Sequence, residues 1–159
     1  MPSITPFLWF DDQAEEAAGF YVSVFPNSQV LEVSRYSDSG PGPTGSVMTV
    51  RFALDGTEFL ALNGGPAHYG FDESISFVID CATQDEVDHY WKALTDGGEE
   101  IACGWLKDRF GLRWQVVPAE LPSLLRDPDP ARARRAMEAM LAMKKLDVHA
   151  LRDAADDGS

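Results

Sequence analysis

The sequence predicts an α+β fold in which a strand–helix–three-strand module occurs twice and a helical extension follows. Three observations support this prediction. Two amphipathic helical patterns each come directly after an apolar run, alternating strand patterns follow both helices, and the residues beyond 118 change to helical periodicity. A chain of 159 residues with 45% hydrophobic content can bury a core without disulfides or a structural metal.

The first module is expected over about residues 3–63. The aromatic-rich run 4–10 predicts a largely buried strand, and apolar residues at spacings of three and four predict a helix over 14–24. The segment 37–45 is too rich in Gly and Pro to be anything but a loop. Further strands are predicted at 28–36, 47–54 and 57–62, the last two joined by a tight Asp55–Gly56 turn.

The second module, expected over about residues 74–118, repeats that order. A helix is predicted at 84–94, and its strands are predicted at 74–80, 99–106 and 112–117. The two modules also align weakly, because Gly56 and Phe59 match Gly111 and Trp114. A duplicated βαβββ module in a single domain, 1–118, accounts for both the pattern and the length.

Residues 119–159 form the expected C-terminal helical tail. The pattern predicts one helical turn at 121–126, an amphipathic helix at 131–144 and a short helix near 148–154. The middle helix carries an apolar stripe made of Ala133, Met137, Met140 and Leu141. A Met-rich stripe adapts to irregular surfaces, so both a partner subunit and the chain's own domain remain open as its docking site.

The composition narrows the possible partners. Asp and Glu number 26 against 13 Lys and Arg, which gives a net charge of −13 and repels nucleic acid and anionic lipid. No apolar run reaches the length of a membrane span, and the first residues lack a signal-peptide pattern. Two cysteines, Cys81 and Cys103, are too few for a disulfide framework. We therefore expect a cytoplasmic protein with neither a nucleic-acid nor a membrane partner.

The reactive side chains give little support for a familiar reaction class. No two of His68, His89 and His149 share the spacing of metal ligands on one helix face. Cys103 would need a base close to it in space to act as a nucleophile, and a sequence alone does not show which groups lie close in space. The sequence also lacks the GxSxG, P-loop, dinucleotide and HExxH motifs.

The strand faces are more informative. Alternation places Thr5, Phe7 and Trp9 on one face of the first strand, and Arg113 and Gln115 together on one face of the last. If helices cover the opposite faces, these side chains would line an apolar pocket with a few polar groups, which is the usual small-molecule site. The alternative is that these side chains fill the space between them as a packed core, with Gln115 bonded to a neighbouring backbone group.

The chain resembles the PhnB-like family of the vicinal oxygen chelate (glyoxalase/bleomycin-resistance/dioxygenase) superfamily. The resemblance covers about residues 3–146 and is carried by PFLWFDDQAEEAAGFYVSVF, LDGTEFLALNGG, SISFVIDCATQDEVDHYWKAL and CGWLKDRFGLRWQVVP. Its most specific motif, W-x-x-D-x-x-G-x-x-W-Q-x-V-P, lies at 105–118. The resemblance implies paired βαβββ modules that form a cupped mixed sheet, usually completed across a homodimer.

The resemblance also implies a metal, held by His and Glu on the cavity face, that polarises a substrate with two adjacent oxygens. The ligand positions correspond here to Gln115 and to positions near Thr5 and Thr49. An amide and two hydroxyls are poor ligands for a divalent transition metal, so we expect neither a metal nor a cofactor. The family often carries the label demethylubiquinone methyltransferase-like, yet the sequence lacks the Gly-rich strand–helix turn that would bind S-adenosylmethionine.

The first functional hypothesis is a metal-independent small-molecule binding protein. Its aromatic walls would be Phe7, Trp9 and Trp105, and its polar contacts would be Arg51, Asn63, Arg113 and Gln115. If Arg51 and Arg113 face the pocket, they would favour an anionic ligand.

Two other hypotheses remain. The chain could be an enzyme of glyoxalase type, a lyase, isomerase or transferase, with a metal bound by groups such as His68, Asp108 and Glu58. It could also be a dimer scaffold whose concave face is filled by side chains. In each case we expect a homodimer in which helix 131–144 contributes to the interface or braces it.

Overall fold

The computed structural model describes residues 2–157, and the chain divides into two compact units. Unit 1 ends at Gly70 and unit 2 begins at Phe71. Each unit contains a strand, a helix and three further strands, and unit 2 continues into helices beyond its last strand. The repeated module order that the sequence predicts is therefore confirmed, as is the α+β fold class.

Unit 1 forms a mixed sheet with the strand order β1-β4-β3-β2. Its elements are β1 (Phe7–Phe10), α1 (Ala14–Val24), β2 (Gln29–Arg35), β3 (Val47–Leu54) and β4 (Thr57–Asn63). Strands β1 and β4 are parallel, and the other neighbours are antiparallel. Asp55 and Gly56 both have positive φ, 46° and 89°, which confirms the tight turn between β3 and β4.

Helix α1 covers one face of this sheet. Glu15 and Glu16 lie in its first turn, where the helix dipole favours acids, and the helix ends just before Pro26. Tyr21 of α1 is buried between the helix and the sheet, and its ring stacks on that of Phe52 in β3, with ring centroids 6.2 Å apart. The other face of the sheet is not covered by a helix of unit 1.

Unit 2 repeats this arrangement with the strand order β5-β8-β7-β6. Its module consists of β5 (Phe77–Cys81), α2 (Gln84–Thr95), β6 (Glu99–Glu100), β7 (Trp105–Lys107) and β8 (Arg113–Pro118). As in unit 1, the first and last strands of the module are parallel. The tail that follows forms α3 (Leu121–Leu125), α4 (Pro130–Leu141) and α5 (Val148–Asp156).

The predicted continuous strand over 99–106 is wrong. A turn interrupts it at Cys103 and Gly104, whose φ angles are 57° and 86°. The backbone N–H groups of these two residues donate to the carbonyls of Met143 and Lys144, at 2.9 and 2.8 Å. The backbone N–H groups that the sequence pattern assigned to a strand therefore hydrogen-bond to carbonyls of the tail.

The apolar stripe of α4 is partly packed within unit 2 and partly exposed to solvent. Met140 packs against a buried cluster in unit 2 made of Leu121, Leu146 and Leu151. Met137 and Leu141 are instead exposed, at 40% and 60%. Within residues 2–157, no helix is both long and apolar enough to cross a membrane.

Candidate functional site

Strand β1 presents two aromatic side chains on the uncovered face of the unit 1 sheet. Leu8 and Phe10 are buried on the helix side, whereas Phe7 is 54% exposed and Trp9 is 38% exposed. The predicted alternation is therefore confirmed. Exposed aromatic rings that lie together as a patch, rather than singly, often mark a surface that binds a ligand or partner.

Trp9 is held in one orientation by the loop that follows β4. Its indole Nε1 donates to the carbonyl of Gly65 at 3.0 Å. The ring lies against Gly64, where an added Cβ would lie only 2.3 Å from the indole, so only glycine fits there. Tyr69 meets Trp9 edge to face at 5.7 Å, a contact that sequence reasoning missed because Tyr69 lies in a loop without periodicity.

Arg51 lies on the same face as Phe7, two strands across the sheet. In the strand register, Leu60 pairs with Phe7 on one side and with Arg51 on the other. The guanidinium of Arg51 forms ion pairs with Glu58 at 3.1 Å and with Glu32 at 3.6 Å. The unit 1 face therefore combines an aromatic patch with a charge-compensated arginine.

The structure does not bring Asn63 to this face. Its Oδ1 accepts a hydrogen bond from the backbone N–H of Ala14 at 2.8 Å, and its Nδ2 donates to the carbonyl of Val47 at 3.2 Å. Asn63 thus ties the start of α1 to β3. Its expected role as a polar contact beside Phe7 and Trp9 needs correction, because the amide is used on the helix side.

Unit 2 presents a more polar face. Trp105 and Gln115 are cross-strand neighbours on β7 and β8, and alternation places Arg113 on the same side of β8. Gln115 Nε2 donates to the Ser76 hydroxyl at 2.9 Å. The predicted placement of Arg113 and Gln115 on one face of β8 is therefore confirmed, and the register adds Trp105 to that face.

Arg113 is largely buried and tied to its own unit. Its side chain is 14% exposed and pairs with Glu73 at 3.0 Å, while Nη1 also donates to the carbonyls of Phe71 and Gly111. The hydrogen bond from Arg113 holds the pKa of the Glu73 carboxyl below its usual value. An anionic ligand would have to compete with Glu73 for Arg113, and with Glu32 and Glu58 for Arg51.

The positions that the resemblance relates to metal ligands carry neutral side chains, and two of them, Thr49 and Gln115, already have partners. The Thr49 hydroxyl hydrogen-bonds to that of Ser34, and Gln115 bonds Ser76. Hydroxyl and amide oxygens suit hard cations better than the transition metals used by this superfamily. The residues at these positions do not fit such a metal. Among residues 2–157, no group of three or more His, Cys, Asp or Glu could hold a metal ion.

Two of the alternative donors considered above, Asp108 and Glu58, have other partners. Asp108 is 1% exposed, and its carboxylate accepts from the backbone N–H groups of Phe110 and Leu112 and from Trp114 Nε1, at 2.8, 3.0 and 2.9 Å. Glu58 pairs with Arg51. Asp108 therefore organises the turn before β8, and its expected role as a metal ligand is corrected.

The two cysteines differ in environment. Cys81 is fully buried at the end of β5, and burial, followed by the nearby Glu86 and Asp80 charges, raises the pKa of its thiol to about 12. A thiol with that pKa is protonated at neutral pH and unreactive. Cys103 is half-buried in the turn that meets the tail.

A βαβββ module whose first and last strands are parallel, present in both units, defines this chain as a member of the glyoxalase/bleomycin-resistance fold class. Residues 2–117 match the family model described as 3-demethylubiquinone-9 3-methyltransferase. The chain belongs to this PhnB-like family, as the sequence resemblance predicts. The family model ends just before Pro118, so the C-terminal helices lie outside it.

Solved structures agree with this assignment. The PhnB protein of Bacillus cereus is 33% identical, with a TM-score of 0.69 over 74% of this chain and 100% of that chain. Protein PA1353 from Pseudomonas aeruginosa is 21% identical, with a TM-score of 0.62 over 74% and 98%. The fosfomycin resistance protein FosX from Mesorhizobium loti is 11% identical, with a TM-score of 0.50 over 72% and 89%. The last two similarities concern the fold alone, and no curated protein matches the chain.

Proposed function

We propose that this chain is a small-molecule binding protein that holds its ligand against an uncovered sheet face without the superfamily's metal. The observation that carries this proposal is the exposure of Phe7 and Trp9 on β1. Trp9 is already oriented by Gly64 and Gly65, so stacking a ligand on it costs little side-chain entropy. A preoriented aromatic surface is typical of small-molecule sites.

Each unit has its own face with proposed contacts, and the two faces are considered separately. In unit 1, Phe7 and Trp9 provide apolar surface and Arg51 provides hydrogen-bond donors. In unit 2, Trp105 and Gln115 are adjacent across β7 and β8 and offer an aromatic ring beside an amide. Because the arginines Arg51 and Arg113 are neutralised by carboxylates, a neutral aromatic or heteroaromatic ligand suits these faces better than an anion.

Metal independence is part of the proposal and rests on donor chemistry. Thr49 and Gln115 bond to neighbouring hydroxyls, and neither Thr nor Gln supplies the nitrogen or carboxylate donors that transition metals prefer. The binding face would therefore act through stacking and hydrogen bonds.

The methyltransferase named in the family description is not part of the proposal. Residues 11–13, which join β1 to α1, are Asp-Asp-Gln, whereas a doubly wound S-adenosylmethionine site needs a Gly-rich turn there. These residues do not fit the cofactor.

We also propose that the chain forms a homodimer. Exposed Met137 and Leu141 extend one face of α4 and provide apolar surface that a second copy would cover. Light scattering should show a dimer at micromolar concentration, and Met137→Glu with Leu141→Glu should shift it to monomers if α4 is in the interface. A wild-type monomer would contradict the dimer.

The binding proposal is tested by titrating chelator-treated protein with N-phenyl-1-naphthylamine, a neutral aromatic probe whose fluorescence rises in apolar sites. Because two stacking surfaces are removed, Phe7→Ala with Trp9→Ala should weaken binding about tenfold or more. The control Val30→Ala removes a comparably exposed apolar side chain from β2, at a position that pairs with Phe52 of the helix-covered face, and should have no effect. Equal affinities in all three proteins, or binding that requires added Ni²⁺, Zn²⁺ or Mn²⁺, would contradict the proposal.

A further inference from the structure

Unit 1 contains a cleft on a different part of its sheet from the aromatic face. Strands β1 and β4 are parallel, so their carboxyl ends lie at the same edge, and α1 begins there. The hydrogen bonds from Gly64 N–H to the Phe10 carbonyl and from Gly65 N–H to the Asp11 carbonyl extend this parallel pairing into the loops. Ligand crevices often form where parallel strands end beside a helix.

The cleft has the size and walls of a small-molecule site. Its volume is about 520 Å³, within the range of ligand pockets. Pro41, Pro43 and Pro66 line it together with Val47. Proline rings are rigid, so these apolar walls exist before any ligand arrives.

The charged groups of the cleft all have the same sign. Asp11, Asp12 and Glu15 line it, and no Lys, Arg or His does so among the described residues. None of the three carboxylates has a hydrogen bond or ion pair within the described chain. Arg35, which precedes the lining residue Tyr36, instead donates to the carbonyl of Gly45.

The neutral polar groups of the cleft are already occupied. The Tyr36 hydroxyl donates to the carbonyl of Asn63, the Asn63 amide bonds Ala14 and Val47, and the Ser46 hydroxyl donates to the Pro43 carbonyl. The unused recognition groups are therefore the carboxylates. Asp11, Asp12 and Glu15 are solvent-exposed, so a dissolved ligand can reach them and their negative charge attracts a cation to the cleft.

We propose that this cleft binds a small organic cation, an amine or guanidine with a short aliphatic body. The cationic group would pair with Asp11, Asp12 or Glu15, and the aliphatic part would pack on the proline walls. The apolar walls and the volume favour an organic cation over a bare metal ion. This site is separate from the proposed function, because it uses neither Phe7 nor Arg51.

The test titrates the full chain with 1,5-diaminopentane by calorimetry and by backbone amide chemical shifts. Saturable shifts are expected at Ser46, Gly64 and Gly65, which line the cleft. The neutral analogue 1,5-pentanediol should give none. Binding should weaken about tenfold in Asp11→Asn with Asp12→Asn and, more modestly, in Glu15→Gln, because each change removes a charge partner.

A matched control removes two exposed carboxylates from unit 2, Asp85→Asn with Glu138→Gln. Asp85 lies in the first turn of α2, as Glu15 does in α1. The control should leave the affinity unchanged, and so should Phe7→Ala, which separates this test from that of the aromatic face.

Three results would overturn the proposal. Equal weakening in the unit 2 control would show diffuse charge attraction, and equal binding of the diol would show apolar binding alone. Stronger shifts of the same amides with Mg²⁺ or Ca²⁺ would identify an inorganic cation site. Thermal melting and the shifts of α1 amides establish that each variant is folded.

Discussion

The two units share a topology but differ at the edge where their parallel strands end. In unit 1 this edge opens into the acidic cleft of about 520 Å³. In unit 2 the tail lies across the corresponding edge, because Met143 and Lys144 accept hydrogen bonds from the Cys103–Gly104 turn, leaving a cavity of about 250 Å³ beside α5. The same module can therefore expose or cover this edge, depending on what the chain adds to it.

The uncovered faces differ as well. Phe7 lies beside Leu60 in unit 1, and Val78 lies beside Gln115 at the equivalent place in unit 2. An exposed aromatic patch in one unit thus corresponds to a mixed polar surface in the other. The comparison teaches that topology sets the positions while individual side chains decide the chemistry.

The largest expected difference between the units is in the free energy of unfolding that is lost when the aspartate before the last strand of each sheet module is replaced. Asp108 in unit 2 is buried and accepts from three N–H donors, whereas Asp55 in unit 1 is exposed. Asp108→Asn should lower the free energy of unfolding by about 3 kcal/mol, because a charge-assisted acceptor is replaced and its added N–H₂ faces other donors. Asp55→Asn should change it by less than about 0.5 kcal/mol, because surface changes are small. Urea denaturation measures both, and equal effects would remove the distinction between the turns.

Two side-chain amides at the compared edges provide the next test. In unit 2, Gln84 donates to the Leu146 carbonyl at 2.9 Å and accepts from Val148 N–H at 2.8 Å. Gln84→Ala should cost about 2 kcal/mol and speed proteolysis of the tail near 142–147, because two hydrogen bonds that hold the tail are lost. Asn63→Ala removes two hydrogen bonds in unit 1, and it should speed proteolysis in the loop 37–46 instead of in the tail. Tail cleavage that is unchanged in the Gln84 variant would contradict its pinning role.

Local patterns predicted the module well and its long-range contacts poorly. The bounds of α1 and β3 match the predicted ranges, because both have regular periodicity and clear ends. The break at Cys103 was not predicted, since it depends on Met143, forty positions later. The division of the α4 stripe into partly buried Met140 and exposed Met137 likewise depends on where α3 and α5 pack.

The same limit applies to the candidate site. Alternation placed Phe7 and Trp9 on the uncovered face and grouped Arg113 with Gln115, because strand geometry has a period of two. Asn63 was misplaced because β4 directs it toward α1, where it caps the first helical N–H. Asp108 could be noticed in its motif, but its burial and three donors are set by how the turn folds over Trp114.

The alkylation rates of the two cysteines measure how well the edge of unit 2 is covered. Cys81 ends β5 and has a pKa raised to about 12 by burial, so almost none of it is thiolate at pH 8. In iodoacetamide labelling followed by peptide mass spectrometry, Cys103 should react on the order of 100-fold faster. Gln84→Ala should accelerate Cys81 labelling if the tail shields it. Cys81 labelling as fast as Cys103 in the wild type would contradict the closed edge.

Acid should loosen the tail gradually, which is the smallest expected effect. Hydrogen bonds from Lys145 and Arg152 hold the pKa values of Asp88 and Glu120 below their ordinary values of 3.8 and 4.5. Because the folded pKa values are lowered, these contacts stabilise the tail fully above the ordinary values and are lost as the pH falls through the lowered ones. The protection factors of α5 amides, which are exchange rates corrected for the intrinsic pH dependence of exchange, should therefore fall as the pH drops from about 5 to about 3. Protection factors that stay constant over this interval would show that other contacts hold the tail.

Amide chemical-shift mapping with N-phenyl-1-naphthylamine on chelator-treated wild-type protein tests the central claim most directly. The claim is that unit 1 offers a metal-independent aromatic binding face. The predicted result is saturable shifts in β1, β3 and β4, largest around Phe7 and Trp9, with none in α5 or the tail-covered edge of unit 2. Shifts that arise only after Ni²⁺, Zn²⁺ or Mn²⁺ is added, or that concentrate in the tail, would contradict it.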